Sequence, residues 1–175
     1  MSRVPELVLF DRDGTLVRDF PYNGDPAWIR PLDGAREALD RLRAHGVRVG
    51  VTTNQSGVAR GLITRAQVDA CNARLVELLG PFDTVQVCPH GPDDGCACRK
   101  PAPGMVLTAC AALGIDPARC VVIGDTAADV ESATAAGAAG ILVPTPVTRR
   151  QEVAAAAHRA DDLAQAVDDV LAGRW

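Results

Sequence analysis

The stretch ELVLFDRDGT, Glu6 to Thr15, sets a short apolar run directly against two carboxylates, a glycine and a hydroxyl. A run this short, rich in branched side chains and lacking a polar alternation, is expected of a parallel strand covered on both faces. The polar residues then fall at its carboxyl end. Gly14 permits a tight turn there. Two carboxylates two residues apart, Asp11 and Asp13, can divide roles between nucleophile or metal ligand and proton donor. The same letters also suit an Asx-rich turn.

Further runs of the same kind recur along the chain: Val47 to Thr53 (VRVGVTT), Thr84 to Cys88 (TVQVC), Cys120 to Gly124 (CVVIG) and Gly140 to Val143 (GILV). Between them lie helical periods. Gly34 to His45 places Ala35, Ala38, Leu39 and Leu42 at spacings of three and four before Gly46. A capping box of Thr64 with Gln67 opens a helix that runs to Leu79 and stops at Gly80 and Pro81. Further helices are predicted over Gly104 to Leu113, Ala127 to Ala136 and Asp161 to Leu171, with a loop over Pro144 to Thr148 and no assignment for Arg149 to Ala157. Strands alternating with helices predict an α/β fold, a doubly wound, Rossmann-like parallel sheet sandwich. At 175 residues, with no repeat and no linker, the chain is expected to form one domain spanning 1–175.

A net charge of −4 with interspersed signs leaves no basic face for nucleic acid. No stretch has the length of a membrane span, and the start of the chain lacks a secretory h-region, so a cytoplasmic protein is expected. Of six cysteines, Cys71, Cys110 and Cys120 stand alone in apolar surroundings and read as buried thiols. The other three belong to CPHGPDDGCACRKPAPG, Cys88 to Gly104, where no helical or strand period is visible. Cys88, His90, Cys96 and Cys98 supply three thiolates and an imidazole within eleven residues, a tetrahedral set for structural Zn²⁺. A redox-active pair, or four residues with no joint role, are the competing readings. Zinc would order a loop over 88–104 that has no core of its own, and would preorganise Arg99 and Lys100 just after it.

Parallel sheets of this kind bind ligands at the carboxyl ends of their strands. Beside Asp11 and Asp13, those ends carry Thr53, Asn54 and Ser56 before Gly57, then Arg99 and Lys100, then Asp125 with Asp129 four residues on. Hydroxyls, amides and cations suit phosphate oxygens, and the later carboxylates suit either a helix N-terminus or a divalent metal.

The order of these features, Asp-x-Asp-Gly-Thr, then Thr-Asn, then Lys, then Gly-Asp with a following Asp, resembles the haloacid dehalogenase superfamily of phosphohydrolases over nearly the whole chain. The zinc set together with TNQSGVARG resembles its small, capless branch, which includes heptose-bisphosphate and histidinol-phosphate phosphatases. The resemblance implies a Mg²⁺-dependent phosphomonoesterase with no large cap domain, acting through an aspartyl-phosphate on a small phosphorylated sugar; a monomer is expected, and a non-catalytic zinc-binding interaction module is the alternative of another class. By it, Asp11 is the nucleophile and Asp13 the acid and base. Thr53, Asn54, Arg60, Arg99 and Lys100 bind phosphate or substrate, Asp11, Asp125 and the Asp13 carbonyl bind Mg²⁺, and Asp129 supports them. The first choice of substrate is D-glycero-D-manno-heptose 1,7-bisphosphate, cleaved at C7. A cationic histidinol phosphate would call for a carboxylate at the mouth, from Asp19, Asp25, Asp93 or Asp94. Tyr22 and Trp28 could pack on a sugar or on the protein.

Overall fold

The structure is a computed structural model describing residues 4–175. Its centre is the apolar run already singled out: β1, Leu7–Phe10, has all four side chains without exposed surface. Full burial contributes about 1.5–3 kcal/mol for each such side chain, and burial on both faces is what a central parallel strand demands. β2 (Arg48–Asn54) and β3 (Thr84–Cys88) lie to one side of β1, and β4 (Cys120–Gly124) and β5 (Ala139–Leu142) to the other. All pairings are parallel, in the order β3-β2-β1-β4-β5.

Alternation along β1 divides the core into two layers. Val8 and Phe10 pack with residues of α1 (Ala35–Ala44), α2 (Arg65–Leu79) and α6 (Leu163–Leu171), whereas Leu7 and Leu9 pack with α3 (Gly104–Leu113) and α4 (Ala127–Ala136). The capping box at Thr64 forms as the spacing predicts, and Cys71, Cys110 and Cys120 are buried. β3, β4, α3 and α4 have their predicted bounds, and the ends of β1, β2, β5, α1 and α6 move by one or two residues. Arg149–Ala157, unassigned from sequence, contains the short helix α5, Arg150–Ala155. Two 3-10 turns, Pro26–Trp28 and Pro117–Arg119, have no apolar period to announce them. Each is made by an aspartate, Asp25 or Asp116, accepting a bond of 2.9 Å from the second amide N–H after it.

The chain reverses its direction of travel across the sheet at β1, so β1 and β4 are neighbours that come from distant parts of the sequence. Phe10 pairs with Ile123, and the Asp11 N–H donates to the Ile123 carbonyl at 2.9 Å. Asp11 and Asp125 therefore emerge side by side at a topological switch point. Among the described residues no second sheet or helical domain stands over this edge, and no helix is long and apolar enough to cross a membrane.

Candidate active site

A cavity of about 260 Å³ opens at the carboxyl edge, lined by Asp11, Asp13, Thr53, Lys100, Asp125 and Asp129 among others. Lys100 is its hub. Its buried ammonium donates to Asp11 Oδ1 and Asp129 Oδ1, each at 2.6 Å, and to the Thr52 carbonyl at 2.9 Å, which satisfies all three N–H groups. Burial alone would lower the Lys100 pKa. The carboxylates of Asp11 and Asp129 outweigh it, and the pKa lies above its ordinary value.

One cation does not balance this cluster. Asp11, Asp125 and Asp129 offer carboxylate oxygens within 4.8 Å of one another, and all three residues are buried. Burial raises Asp11 well above the usual carboxylate range against the pull of Lys100, with Asp129, Asp125 and Asp13 adding to the rise. Asp125 is raised to about 6 by burial and then by Asp129. A hard divalent cation relieves such an excess of negative oxygen, so the donor set fits Mg²⁺. The acids are not equivalent as ligands. Asp129 already has both oxygens engaged, Oδ1 by Lys100 and Oδ2 by the Thr126 N–H at 3.1 Å and Thr126 Oγ1 at 2.8 Å. Asp11 and Asp125 are the freer pair.

Two glycines make this approach possible. Gly14 has φ +89°, and a Cβ there would stand 2.5 Å from Asp125 Oδ2. One at Gly124 would stand 2.3 Å from Asp129 Cγ. No side chain fits at either position without moving a site carboxylate.

The remaining expected residues divide. Thr53 lines the cavity, its hydroxyl accepting from Gln55 Nε2 at 2.9 Å. Asn54 also lines it, but its amide clamps the Lys100 backbone: Nδ2 donates to the Lys100 carbonyl at 3.2 Å and Oδ1 accepts its N–H at 3.1 Å. Its amide thereby helps to place Lys100. Arg60 lies over the Tyr22 ring, 5.8 Å from the centroid, and Tyr22 lines the cavity with a left-handed φ of 56°. Trp28 lies outside the cavity lining and is 45% exposed, with its ring edge-on to Phe20 at 5.2 Å and Arg30 over its face. Arg99 lies outside the cavity lining, its guanidinium donating to the His90 carbonyl at 3.3 Å. Of the four acids considered for a cationic substrate, Asp19 alone lines the cavity. Asp25 caps the first 3-10 turn, and Asp94 accepts the Gly91 N–H at 2.7 Å.

Sequence reasoning passed over Arg12, Gln55, Asn72 and Thr148. Thr148 Oγ1 donates to the Asp125 carbonyl at 2.8 Å. Arg12 and Asn72 are buried and bonded to each other at 2.8 Å. The one available signal was an arginine flanked by two carboxylates directly after a buried strand.

At the end of β3 the second cluster closes. Cys88, His90, Cys96 and Cys98 bring their sulfurs and His90 Nδ1 within 4.8 Å of one another. Tetrahedral bonds of about 2.3 Å place sulfurs about 3.8 Å apart. Cys88 to Cys96 is 3.7 Å, Cys96 to Cys98 is 3.6 Å and Cys88 to His90 Nδ1 is 3.6 Å, with Cys88 to Cys98 closer at 3.0 Å. Burial and the hydrogen bond from Cys98 push the Cys88 thiol up to about 12, while Cys96, despite desolvation, is lowered to about 7 chiefly by the Arg99 N–H. Three thiolates can coexist here with a cation between them, so the donor set fits zinc.

A haloacid dehalogenase-like hydrolase family model matches residues 8–70, and a second HAD-hydrolase-like model matches 97–170. The D-glycero-beta-D-manno-heptose-1,7-bisphosphate 7-phosphatase of Pseudomonas aeruginosa is 41% identical, over 83% of each chain. The chain belongs to the haloacid dehalogenase-like hydrolases. Another member of this family, the Escherichia coli K12 enzyme of the same name, is 34% identical over 95% of this chain and 96% of its own. The crystal structure of D,D-heptose 1,7-bisphosphate phosphatase from B. bronchiseptica, complexed with magnesium and phosphate, superposes with a TM-score of 0.84 at 34% identity. It covers 95% of this chain and 98% of that one. The hydrolase models leave 71–96 unmatched, the segment that carries Cys88, His90 and Cys96.

Proposed function

We propose that this hydrolase removes the C7 phosphate of D-glycero-β-D-manno-heptose 1,7-bisphosphate. The chemistry rests on one observation: Asp11, at the end of the central strand, faces a cavity with Lys100 on one carboxylate oxygen and Asp13 two residues on. The choice of sugar rests on the relatives' activity. Asp11 attacks phosphorus as the bond to the C7 oxygen breaks, and Asp13 delivers its proton to that oxygen. The Asp13 carboxylate then takes a proton from water, whose oxygen bonds to phosphorus as the aspartyl ester breaks and Asp11 is restored. Lys100 and the Thr53 hydroxyl hold the equatorial oxygens through the charge build-up. Asp11, Asp125 and the Asp13 carbonyl would hold Mg²⁺, which when bound neutralises phosphoryl charge. Asp129 anchors Lys100. Arg60, over the ring of the cavity-lining Tyr22, is taken with it to contact the rest of the sugar.

The test is phosphate release with Mg²⁺ from both anomers of heptose 1,7-bisphosphate, histidinol phosphate and several hexose phosphates. A kcat/KM preference of about 10²-fold or more for one heptose bisphosphate is expected, the scale that a site with dedicated polar contacts achieves. Even, low activity across the panel overturns the substrate while leaving the chemistry. Asp19 favours a second reading, histidinol-phosphate hydrolysis, because its carboxyl lines the cavity.

The Cys₃His cluster is assigned to structural zinc. Sequence alone makes one loop responsible for both cations after it. The structure separates them, since Asn54, Asp11 and Asp129 hold Lys100 independently, whereas Arg99 hangs on His90 and, through its N–H at 3.4 Å, on Cys96 Sγ. Chelation of zinc is therefore expected to leave the far-ultraviolet circular dichroism of the sheet intact. It should lower kcat/KM for the sugar bisphosphate about tenfold, with KM moving more than kcat. Global unfolding on chelation would show that the metal supports the sheet as well.

A further inference from the structure

We infer that Arg12 is a positioning residue that fixes which oxygen of Asp13 exchanges the proton, an inference that rests on Asp13 being the acid and base. Arg12 is the largest fully buried side chain among the described residues, 1% exposed. An arginine is rarely buried unless paired, because desolvating its charge is costly. Here the guanidinium runs beneath the β1 turn and is tied at both ends. Nη1 donates to Asn72 Oδ1 on α2 at 2.8 Å. On the other side Nη2 lies 3.0 Å from Asp13 Oδ2, and Nε donates to Oδ2 at 3.1 Å and Oδ1 at 3.2 Å.

Gln55 completes the grip from the end of β2. Its Nε2 donates to Asp13 Oδ2 at 2.9 Å, and the same nitrogen reaches Thr53 Oγ1 at 2.9 Å. The two oxygens of Asp13 are thus unequal. Oδ2 accepts from Gln55 Nε2 and Arg12 Nε, with the charge of Nη2 3.0 Å away. Oδ1 has only the long shared contact with Nε. The proton that moves is therefore carried on Oδ1, the less engaged oxygen, while Asn72 holds the clamp to the helix layer. In the first step the O–H bond at Oδ1 breaks and its proton goes to the ester oxygen as the P–O bond breaks. In the second, Oδ1 takes a proton from the attacking water as the P–O bond to Asp11 breaks.

A buried ion pair could instead merely lock the turn, and leaving-group chemistry tells the two apart. Nitrophenolate departs without a proton, whereas an alkoxide needs one. Moreover, kcat/KM reports only through loss of the leaving group, before water is activated. The experiment compares p-nitrophenyl phosphate with the alkyl phosphate that wild-type enzyme turns over best, in Arg12→Lys and Gln55→Leu variants. Arg12→Lys keeps the charge and loses the fork. It is expected to lower kcat/KM on the alkyl ester by about 10²-fold and on the aryl ester by no more than about threefold. Gln55→Leu should show the same selectivity at smaller amplitude, and it decides the matter if Arg12→Lys does not fold. Equal falls on both esters, or no fall on either, overturn the inference. Asp11→Asn run in parallel keeps the two levels distinct: its turnover of either ester would overturn the phosphatase reading itself, while an inactive Asp11→Asn beside an unselective Arg12→Lys overturns only the role of Arg12.

Discussion

Asp11→Asn is expected to abolish phosphate release, with kcat down by about 10⁵-fold or more, the scale on which covalent nucleophiles fail when removed, in a protein that stays folded. The amide has the carboxylate's shape and can still accept the Lys100 ammonium through its oxygen, so the packing of the site survives. What disappears is the nucleophilic charge. Stability should hold or rise. Burial holds the Asp11 pKa well above its ordinary value of 3.8, so its folded state takes up a proton that the unfolded state gives up at lower pH. Keeping Asp11 ionised at neutral pH therefore costs folding free energy, and the neutral amide has no such cost. Phosphate assays and a thermal melt at pH 7.5 check both halves. A variant retaining a tenth of wild-type turnover would remove Asp11 from the mechanism.

Lys100→Met is expected to damage both activity and stability. The methionine fills a similar volume but leaves Asp11 Oδ1, Asp129 Oδ1 and the Thr52 carbonyl without their shared donor. Breaking a buried pair from one side costs about 3–5 kcal/mol, which in a chain of this size lowers Tm by about 6–20 °C. Loss of one preorganised charge at the transferring group lowers kcat by about 10²–10³-fold. Mg²⁺ should restore part of the melting temperature by neutralising the same carboxylates, and little of the rate. A Lys100→Met protein with wild-type Tm in the absence of divalent ions would mean that the carboxylates shed their charge without help.

Much of this site is legible in the sequence because parallel strands ending in polar turns announce both the sheet and its working edge. LVLF before Asp11 and CVVIG before Asp125 are such announcements, and glycines at 46, 114 and 137 mark where helices stop. The partners of those turns are harder to read. Arg12 looks like a solvated spacer until α2 supplies Asn72 from sixty residues away. Asn54 reads from sequence as a phosphate ligand, and only the fold shows that a loop 46 residues on also brings the Lys100 backbone to its amide. Arg99 and Lys100 are adjacent in the chain, yet the backbone sends one to the core and the other to the zinc loop. Periodicity reports which residues share a face and is silent about what a long polar side chain meets across the sheet edge.

The uncovered carboxyl edge also bears on the fate of the phosphorylated enzyme. A lid that closes over an active site keeps solvent from an energy-rich ester long enough for a second substrate to claim the phosphoryl group. Among the described residues this edge has no such cover, so on the proposed mechanism an ester on Asp11 would meet bulk water once the sugar departs, with Asp13 still beside it. Water would then be the default acceptor, and such an architecture would favour removal of phosphate over passing it on.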